Sequence, residues 1–415
     1  MNDVCVLGLG YIGLPTASIF ATRGKKVLGV DVVPRVVETI NRGEIHIEEP
    51  DLDVLVRAAV HSGNLRAATQ PESSRVYIVA VPTPFKATAT NPKAPDLTYV
   101  EAATRSLAGV VQLGQMIILE STSPVGTTEL MQGWLVEELQ KIRPAEVALL
   151  RESLLFAHCP ERILPGQMLK ELVSNDRICG GLTPAAAEAA RDLYRVFCSG
   201  EIFLTDARTA EMCKLTENAS RDVGIAFANE LSLICERLQI DVWELIRLAN
   251  RHPRVKILQP GPGVGGHCIA VDPWFIVDAA PDVARLIRTA REVNDSKPHH
   301  VIARVQECAG RFKAPVIACL GLAFKADVDD LRESPAMDIV AHLAEAGAGR
   351  LLVVEPHIRS LPRGLRADKA ELASLDAAVK AADVVVLLVN HREFVGFDRR
   401  KLEGKVVIDT RGIWR

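Results

Sequence analysis

The feature that most restricts the fold lies at the start of the chain. Residues 4–7 form a short apolar run that stops at Gly8-Leu9-Gly10-Tyr11-Ile12-Gly13, and an amphipathic helical pattern follows to about residue 23. A second apolar run, residues 26–30, ends in Asp31, about 20 residues beyond the glycines as a dinucleotide fingerprint requires. Strand, glycine loop, helix, strand and acid in that order demand two parallel strands joined by a helix, the unit of a doubly wound α/β sheet. Gly8 is expected to permit the tight turn, Gly10 to let the backbone approach a pyrophosphate, and Gly13 to allow close helix packing. Tyr11 and Ile12 fall at the helix N-terminus, whose field favours phosphate. Asp31 is expected to accept from the adenosine ribose hydroxyls. A carboxylate there repels a 2′-phosphate and favours NAD, while the nearby Arg35 keeps NADP open.

Apolar runs at 76–81, 116–119 and 154–157 alternate with helical patterns and extend the sheet. Their ends carry Pro82-Thr83-Pro84, Ser121-Thr122-Ser123-Pro124 and Cys159-Pro160-Glu161-Arg162, where the carboxyl edge of such a sheet forms its ligand crevice. Thr83 and Ser123 are equally good helix caps; Glu161, a lone carboxylate after an apolar strand, is harder to explain structurally. Residues 85–95, rich in Lys, Ala, Thr, Asn and Pro, are expected to form an exposed, mobile loop.

From residue 209 to about 238 the pattern is one long helix. Lys214, Asn218 and Arg221, spaced four and then three apart, form a polar stripe on it, read as facing a polar cleft in preference to solvent. Then comes Gly261-Pro262-Gly263-Val264-Gly265-Gly266-His267-Cys268, followed four residues later by Asp272. Four glycines in six positions let the backbone approach a ligand closely. A helix starting directly after them would put Cys268 and Asp272 on one face, with the thiol near the positive helix end, the setting of an activated nucleophile. A structural turn followed by a small buried thiol is the competing reading.

A second alternation follows, with strands at 316–320, 351–354, 384–389 and 406–408 and helices at 335–345 and 372–381. It predicts another α/β domain. Lys325 and Arg332 fall after its first strand, where a phosphate-bearing ligand would meet the strand ends. At 415 residues the chain exceeds one core, and a formal net charge of −3 without blocks of like charge gives nucleic acid or a membrane surface no electrostatic purchase. The nine cysteines show no zinc-type spacing, so no metal is expected and the thiols are read as reduced and cytoplasmic. No apolar run approaches a membrane span, nor does a basic leader precede the first strand.

Taken together, these segments resemble the UDP-glucose/GDP-mannose dehydrogenase family over essentially the whole chain. The resemblance rests on GLGYIGLPTA from Gly8, AVPTPF from Ala80, ESTSPVGTTE from Glu120, CPERILPG from Cys159, RTAEMCKLTENASRD from Arg208, IAFANELSLICE from Ile225, ANRHPRVKILQPGPGVGGHCIAVDPWF from Ala249 and GLAFKADVDDLRESPAMDI from Gly321. It implies an NAD-binding Rossmann domain (1–203), a central helical dimerisation region with the cysteine loop (204–300) and a UDP-sugar-binding Rossmann-like domain (301–415). It also implies two successive NAD-dependent oxidations of a sugar C6 hydroxyl to a carboxylate, supplying surface polysaccharides. By similarity Cys268 captures the aldehyde, Lys214 and Asn218 stabilise oxyanions, Asp272 assists proton transfer, and Glu161 and Thr122 place a water and act in acid–base steps. Gly8, Gly10, Tyr11, Ile12, Gly13, Asp31, Thr83, Thr122 and Arg332 match cofactor positions. Glu161, Arg162, Leu164, Lys214, Asn218, His252, Gly265, Phe324 and Lys325 match substrate positions, and Arg254 an arginine that reaches the neighbouring subunit of a homodimer.

The chain departs from the UDP-glucose branch at Arg162, where an aromatic is usual, and at Val271, where lysine is usual. Both departures point to a UDP-N-acetylhexosamine, the mannosamine epimer ahead of its C2 epimer, glucosamine. A two-electron β-hydroxyacid dehydrogenase would leave Cys268 and the C-terminal α/β half without a role. A non-catalytic nucleotide-sugar-binding protein would not need Cys268, Lys214, Asn218 and Asp272 together.

Overall fold

The computed structural model describes every residue except 48, 88–92, 164, 165, 267, 363, 364, 366–368 and 415. It divides into two compact units, Met1–Glu217 and Asn218–Arg415. The first contains β1 (Asn2–Leu7), β2 (Val27–Val30), β3 (Leu65–Ala68), β4 (Ser74–Val79), β5 (Phe85–Lys86), β6 (Ala94–Pro95), β7 (Met116–Leu119), β8 (Leu155–His158), β9 (Arg177–Gly181) and β10 (Ile202–Asp206). Eight of these make one sheet in the order β10-β9-β8-β7-β4-β1-β2-β3. Neighbours run parallel except at β8–β9, so β9 and β10 run opposite to the rest. Consecutive strands run outward from β1 in one direction through β2 and β3, and in the other from β4. The order therefore reverses between β1 and β4, and a ligand crevice opens at their carboxyl ends.

Period-two alternation gives this sheet two buried faces. Val4, Val6, Val27, Ile78 and Ile118 pack into one core, while Cys5, Leu7, Leu28, Tyr77, Val79, Ile117 and Leu119 pack into the other. The second unit repeats the architecture with β11 (Val316–Leu320), β12 (Arg350–Val354), β13 (Ala370–Leu372), β14 (Val384–Leu387) and β15 (Val406–Asp409). All are parallel, in the order β13-β12-β11-β14-β15. Here too alternate residues, Ile317 and Cys319 against Ala318 and Leu320, feed separate cores.

The long helix spans Ala207–Leu238, 32 residues, and carries Lys214 in the first unit and Asn218 and Arg221 in the second. Lys214 and Asn218 are half-buried whereas Arg221 is exposed, so the stripe faces solvent at that end. Two further expectations are corrected. The ends of the 85–95 segment pair as the antiparallel strands β5 and β6, with Phe85 opposite Pro95; residues 88–92 lie outside the described residues. The helix after the glycine turn spans Asp272–Ala279, so Cys268 precedes it by one turn of chain.

Candidate active site

In the first unit the fingerprint glycines do three different jobs. Gly8 has φ +91°, and a Cβ there would stand 2.6 Å from the Ala80 carbonyl oxygen at the end of β4. A Cβ on Gly13 would fall 1.8 Å from the Gly8 carbonyl oxygen, so only glycine lets the helix Gly13–Thr22 begin so close to β1. Gly10 differs: a Cβ there meets nothing within 4 Å. No packing among the described residues requires this glycine, and the open space beside it is compatible with the close backbone approach expected of the motif. Asp31 is fixed at the end of β2 by the Leu9 and Val33 amides, which donate to its two oxygens at 3.1 and 2.9 Å. Across the crevice the Thr83 hydroxyl donates to the Thr122 carbonyl oxygen at 2.6 Å, joining the loops after β4 and β7. Tyr11 is exposed and Ile12 is the N-cap of the fingerprint helix.

Glu161, just beyond β8, is buried and holds an ion pair with Arg177 of β9 at 2.5 Å; its other oxygen accepts from the Arg162 amide at 2.8 Å. Arg162 in turn reaches Glu217 at 2.8 Å and the Asp176 carbonyl. Leu164 lies outside the described residues. The half-buried Lys214 lies near His158, whose ring is pushed down to about 3 by burial, with the Lys214 charge adding to the effect. His158 is therefore neutral at physiological pH.

In the second unit Cys268 is exposed, and its carbonyl oxygen accepts from the Val271 and Asp272 amides at 3.0 and 2.9 Å. Asp272 is buried at the start of the next helix, and the Asn218 amide donates to its carboxylate at 2.5 Å. A buried carboxylate thus stands one turn of chain after an exposed thiol. The glycines before them make room chiefly for the protein's own atoms. A Cβ on Gly265 would stand 2.4 Å from the Glu333 carbonyl oxygen and 2.6 Å from Pro335 Cδ, and one on Gly266 (φ +87°) would stand 3.0 Å from the Phe324 ring. Gly261 makes way for the half-buried Arg411, whose guanidinium is lowered to about 10 by desolvation. These contacts give the glycines a packing role as well: they let the cysteine turn lie against the loop after β11.

Lys325 and Arg332 in that loop are exposed; Arg332 grips Asp330 at 2.7 Å. His252 and Arg254 are exposed, and the Arg254 amide donates to His252 Nδ1. Asp327, His357 and His391 bring possible ligand atoms within 4.8 Å of one another. His391 is committed elsewhere, however, accepting from the Asp327 amide at Nδ1 and meeting Glu355 through Nε2.

Sequence reasoning missed what anchors the cysteine turn. The Asn229 side chain on the long helix accepts from the Gly261 amide at 2.8 Å and donates to Asn294, which donates to Asp222; Asp222 pairs with buried Arg291 at 2.6 Å. The only advance signal was polar residues at helical spacing in otherwise apolar stretches.

Three sequence profiles of one family cover nearly all of the chain. The NAD binding domain of the UDP-glucose/GDP-mannose dehydrogenase family matches residues 2–198, its central domain 208–296 and its UDP binding domain 318–415. The chain belongs to this family. It is therefore a dehydrogenase with an NAD-binding domain, and the fingerprint glycines and Asp31 lie within the residues matched to that domain. Among curated relatives it is 59% identical over 413 residues to an NDP-N-acetyl-D-galactosaminuronic acid dehydrogenase of Ralstonia nicotianae, covering 100% of this chain and 96% of that one. It is 56% identical over 422 residues to a UDP-N-acetyl-D-mannosamine dehydrogenase of Salmonella typhi, covering 100% and 99%. Among solved structures, a UDP-D-ManNAc dehydrogenase from Pyrococcus horikoshii superposes with a TM-score of 0.88 at 39% identity, covering 100% of this chain and 96% of that one.

Proposed function

We propose that this dehydrogenase oxidises the C6 hydroxyl of UDP-N-acetyl-D-mannosamine to the carboxylate in two steps at Cys268. The observation that carries this reading is the exposed thiol one turn of chain ahead of a buried carboxylate, Asp272, held by Asn218. When bound, NAD accepts the hydride of each oxidation. The thiol adds to the C6 aldehyde as a thiohemiacetal, and loss of the second hydride leaves a thioester. Water attacks the thioester, releasing the uronate and the Cys268 thiol, with Glu161 and Thr122 placing the water and Asp272 assisting proton transfer. Lys214 and Asn218 stabilise the tetrahedral oxyanions, an electrostatic contribution usually among the largest in catalysis. Thr83, Asp31, Tyr11, Ile12 and Arg332 serve the cofactor. Arg162, Leu164, His252, Gly265, Phe324 and Lys325 serve the nucleotide sugar, and Arg254 reaches the neighbouring site of a homodimer. On this reading the chain divides functionally at about 203 and 300 and works in the cytoplasm; no described helix is long and apolar enough to cross a membrane.

The mannosamine reading draws on the departures at Arg162 and Val271 and on the Salmonella relative. A second reading, the substrate with the galacto configuration, is favoured by the 59% identity to the Ralstonia dehydrogenase. Parallel assays of NADH formation with UDP-N-acetylmannosamine, UDP-N-acetylglucosamine, UDP-N-acetylgalactosamine and UDP-glucose test both. The expected order puts the first ahead and UDP-glucose last. Faster turnover of either other N-acetylhexosamine would overturn the substrate assignment without touching the chemistry.

A further inference from the structure

Beneath the crevice of the first unit a buried polar chain leads to Glu161, and its other members have no part in the proposed chemistry. It starts on the fingerprint helix, where the Thr16 hydroxyl donates to Glu120 Oε2 at 3.3 Å. Glu120, at the end of β7, accepts at its other oxygen from the Tyr194 hydroxyl at 2.6 Å. The Arg177 guanidinium lies over the Tyr194 ring at 4.5 Å from its centre and over Phe197 at 5.4 Å, and it closes the chain on Glu161. Every ionisable member is buried: Glu120 is 1% exposed, Arg177 4%, Glu161 7% and Tyr194 0%. One guanidinium thus pairs with Glu161 and feels the charge of Glu120 across the Tyr194 ring, in a place without solvent. Its Nε and Nη1 have no hydrogen-bond partner among the described residues, so it has donors in reserve for a second carboxylate.

We propose that Arg177 is a positioning residue that fixes the Glu161 carboxylate, and that Glu120 is the competing carboxylate through which the fingerprint helix and the clamp are linked. This rests on the reading of Glu161 as a residue of the reaction. Burial opposes the charge on Arg177, but Glu161, Tyr194 and Glu120 outweigh it and hold the group above its usual range. Burial lifts Glu120 to about 7; the Arg177 charge pulls against that shift, the Glu161 carboxylate pushes with it, and hydrogen bonds from Tyr194 and Thr16 pull it back. The buried Cys159 thiol, raised by burial and beside Cys179, also feels the Glu120 charge. Below neutrality a protonated Glu120 leaves Arg177 to Glu161 alone. Above it two carboxylates divide one guanidinium, and Glu161 is held less firmly.

Arg177→Lys keeps the charge but loses the planar fork that aligns a carboxylate. It should lower kcat by about ten-fold to a hundred-fold, the cost of a misplaced group, with little change in KM. Glu120→Gln preserves shape and mimics the protonated form, and it tests the proposal even where the lysine variant fails to fold. Its kcat relative to the parent should be flat at low pH and rise through an inflection near pH 7, a ratio in which ionisations common to both proteins cancel. A ratio independent of pH, or a folded Arg177→Lys enzyme with parental kcat, would overturn the proposal. Glu161→Gln separates the two levels: retained turnover in that variant removes Glu161 from the reaction, whereas lost turnover with a pH-independent Glu120→Gln ratio removes only the clamp.

Discussion

Gly10→Ala separates the cofactor's demand on the fingerprint from the fold's demand. The new methyl group meets nothing within 4 Å among the described residues, and Gly10 is not among the positive-φ residues. Alanine at such a position loses less conformational freedom on folding, so the cofactor-free protein should be unchanged or more stable by about 0.4–1 kcal/mol. On the proposed placement of the cofactor, the same methyl group occupies the space the pyrophosphate enters. Overpacking of that kind costs about 1–3 kcal/mol, which corresponds to an NADH dissociation constant raised about 5-fold to 150-fold. Gly13→Ala is the opposite case, because its Cβ would lie 1.8 Å from the Gly8 carbonyl oxygen and 3.0 Å from the carbonyl carbon, neither of which can rotate away. That variant should lose more than ~3 kcal/mol before any cofactor is added. Urea denaturation without cofactor, paired with NADH titration followed by fluorescence, reads the two effects separately. Parental NADH affinity in Gly10→Ala would refute the placement of the pyrophosphate. A stability loss in Gly10→Ala matching that of Gly13→Ala would refute the steric argument itself.

Cys268→Ser should stall after covalent attachment, because an alkoxide is a far poorer leaving group than a thiolate; a sugar ester would then appear as a mass increase on the peptide spanning residues 261–272, and near-normal turnover would remove the nucleophile. Mixing inactive Arg254→Ala with inactive Cys268→Ala chains under conditions of subunit exchange, verified by native mass spectrometry, should restore part of the activity if Arg254 completes the neighbouring site; exchange without recovery refutes it. Glu120 is raised from 4.5 to about 7, so its folded form holds the proton more tightly and its stabilising contribution, complete below about 4.5, is lost as pH rises through about 7. The stability gap between Glu120→Gln and the parent should therefore grow in the variant's favour by up to ~3 kcal/mol between pH 4.5 and 8 in urea titrations, and a constant gap would contradict the shift.

What could be read in advance follows from how local each signal is. The strands at 116–119 and 316–320 are apolar because both faces of a parallel sheet are covered, and that pattern needs no knowledge of the neighbours. β3 reads Leu-Arg-Ala-Ala and β9 contains two adjacent glycines, so neither carries a strand signature of its own; β9 takes glycine because Cβ atoms at Gly180 and Gly181 would stand 2.4 Å from the Asp206 carbonyl oxygen and 2.2 Å from that of Thr183. The misreading of residues 85–95 has the same origin. Lys and Pro at the ends of a short ribbon resemble loop composition, and the pairing of Phe85 with Pro95 is created by the other strand.

The cysteine turn shows the limit of motif reading most clearly. Glycines beside a candidate nucleophile suggest room for a ligand, because a missing Cβ is the simplest way to admit one. Yet the atoms a Cβ would strike at Gly265 and Gly266 belong to Glu333, Pro335 and Phe324, contributed by a loop some sixty residues further along the chain. The same ambiguity attaches to Glu161. As a lone carboxylate after a strand it looks available, but its ion pair with Arg177 depends on β9 folding back antiparallel beside β8, the one reversal in an otherwise parallel set of neighbours. A site's residue types are thus visible in one dimension, whereas which of them are occupied by the protein itself is decided by contacts between segments far apart in sequence. Arg177 and Asn229 escape a motif search for that reason: each acts on a neighbour whose identity only the fold supplies.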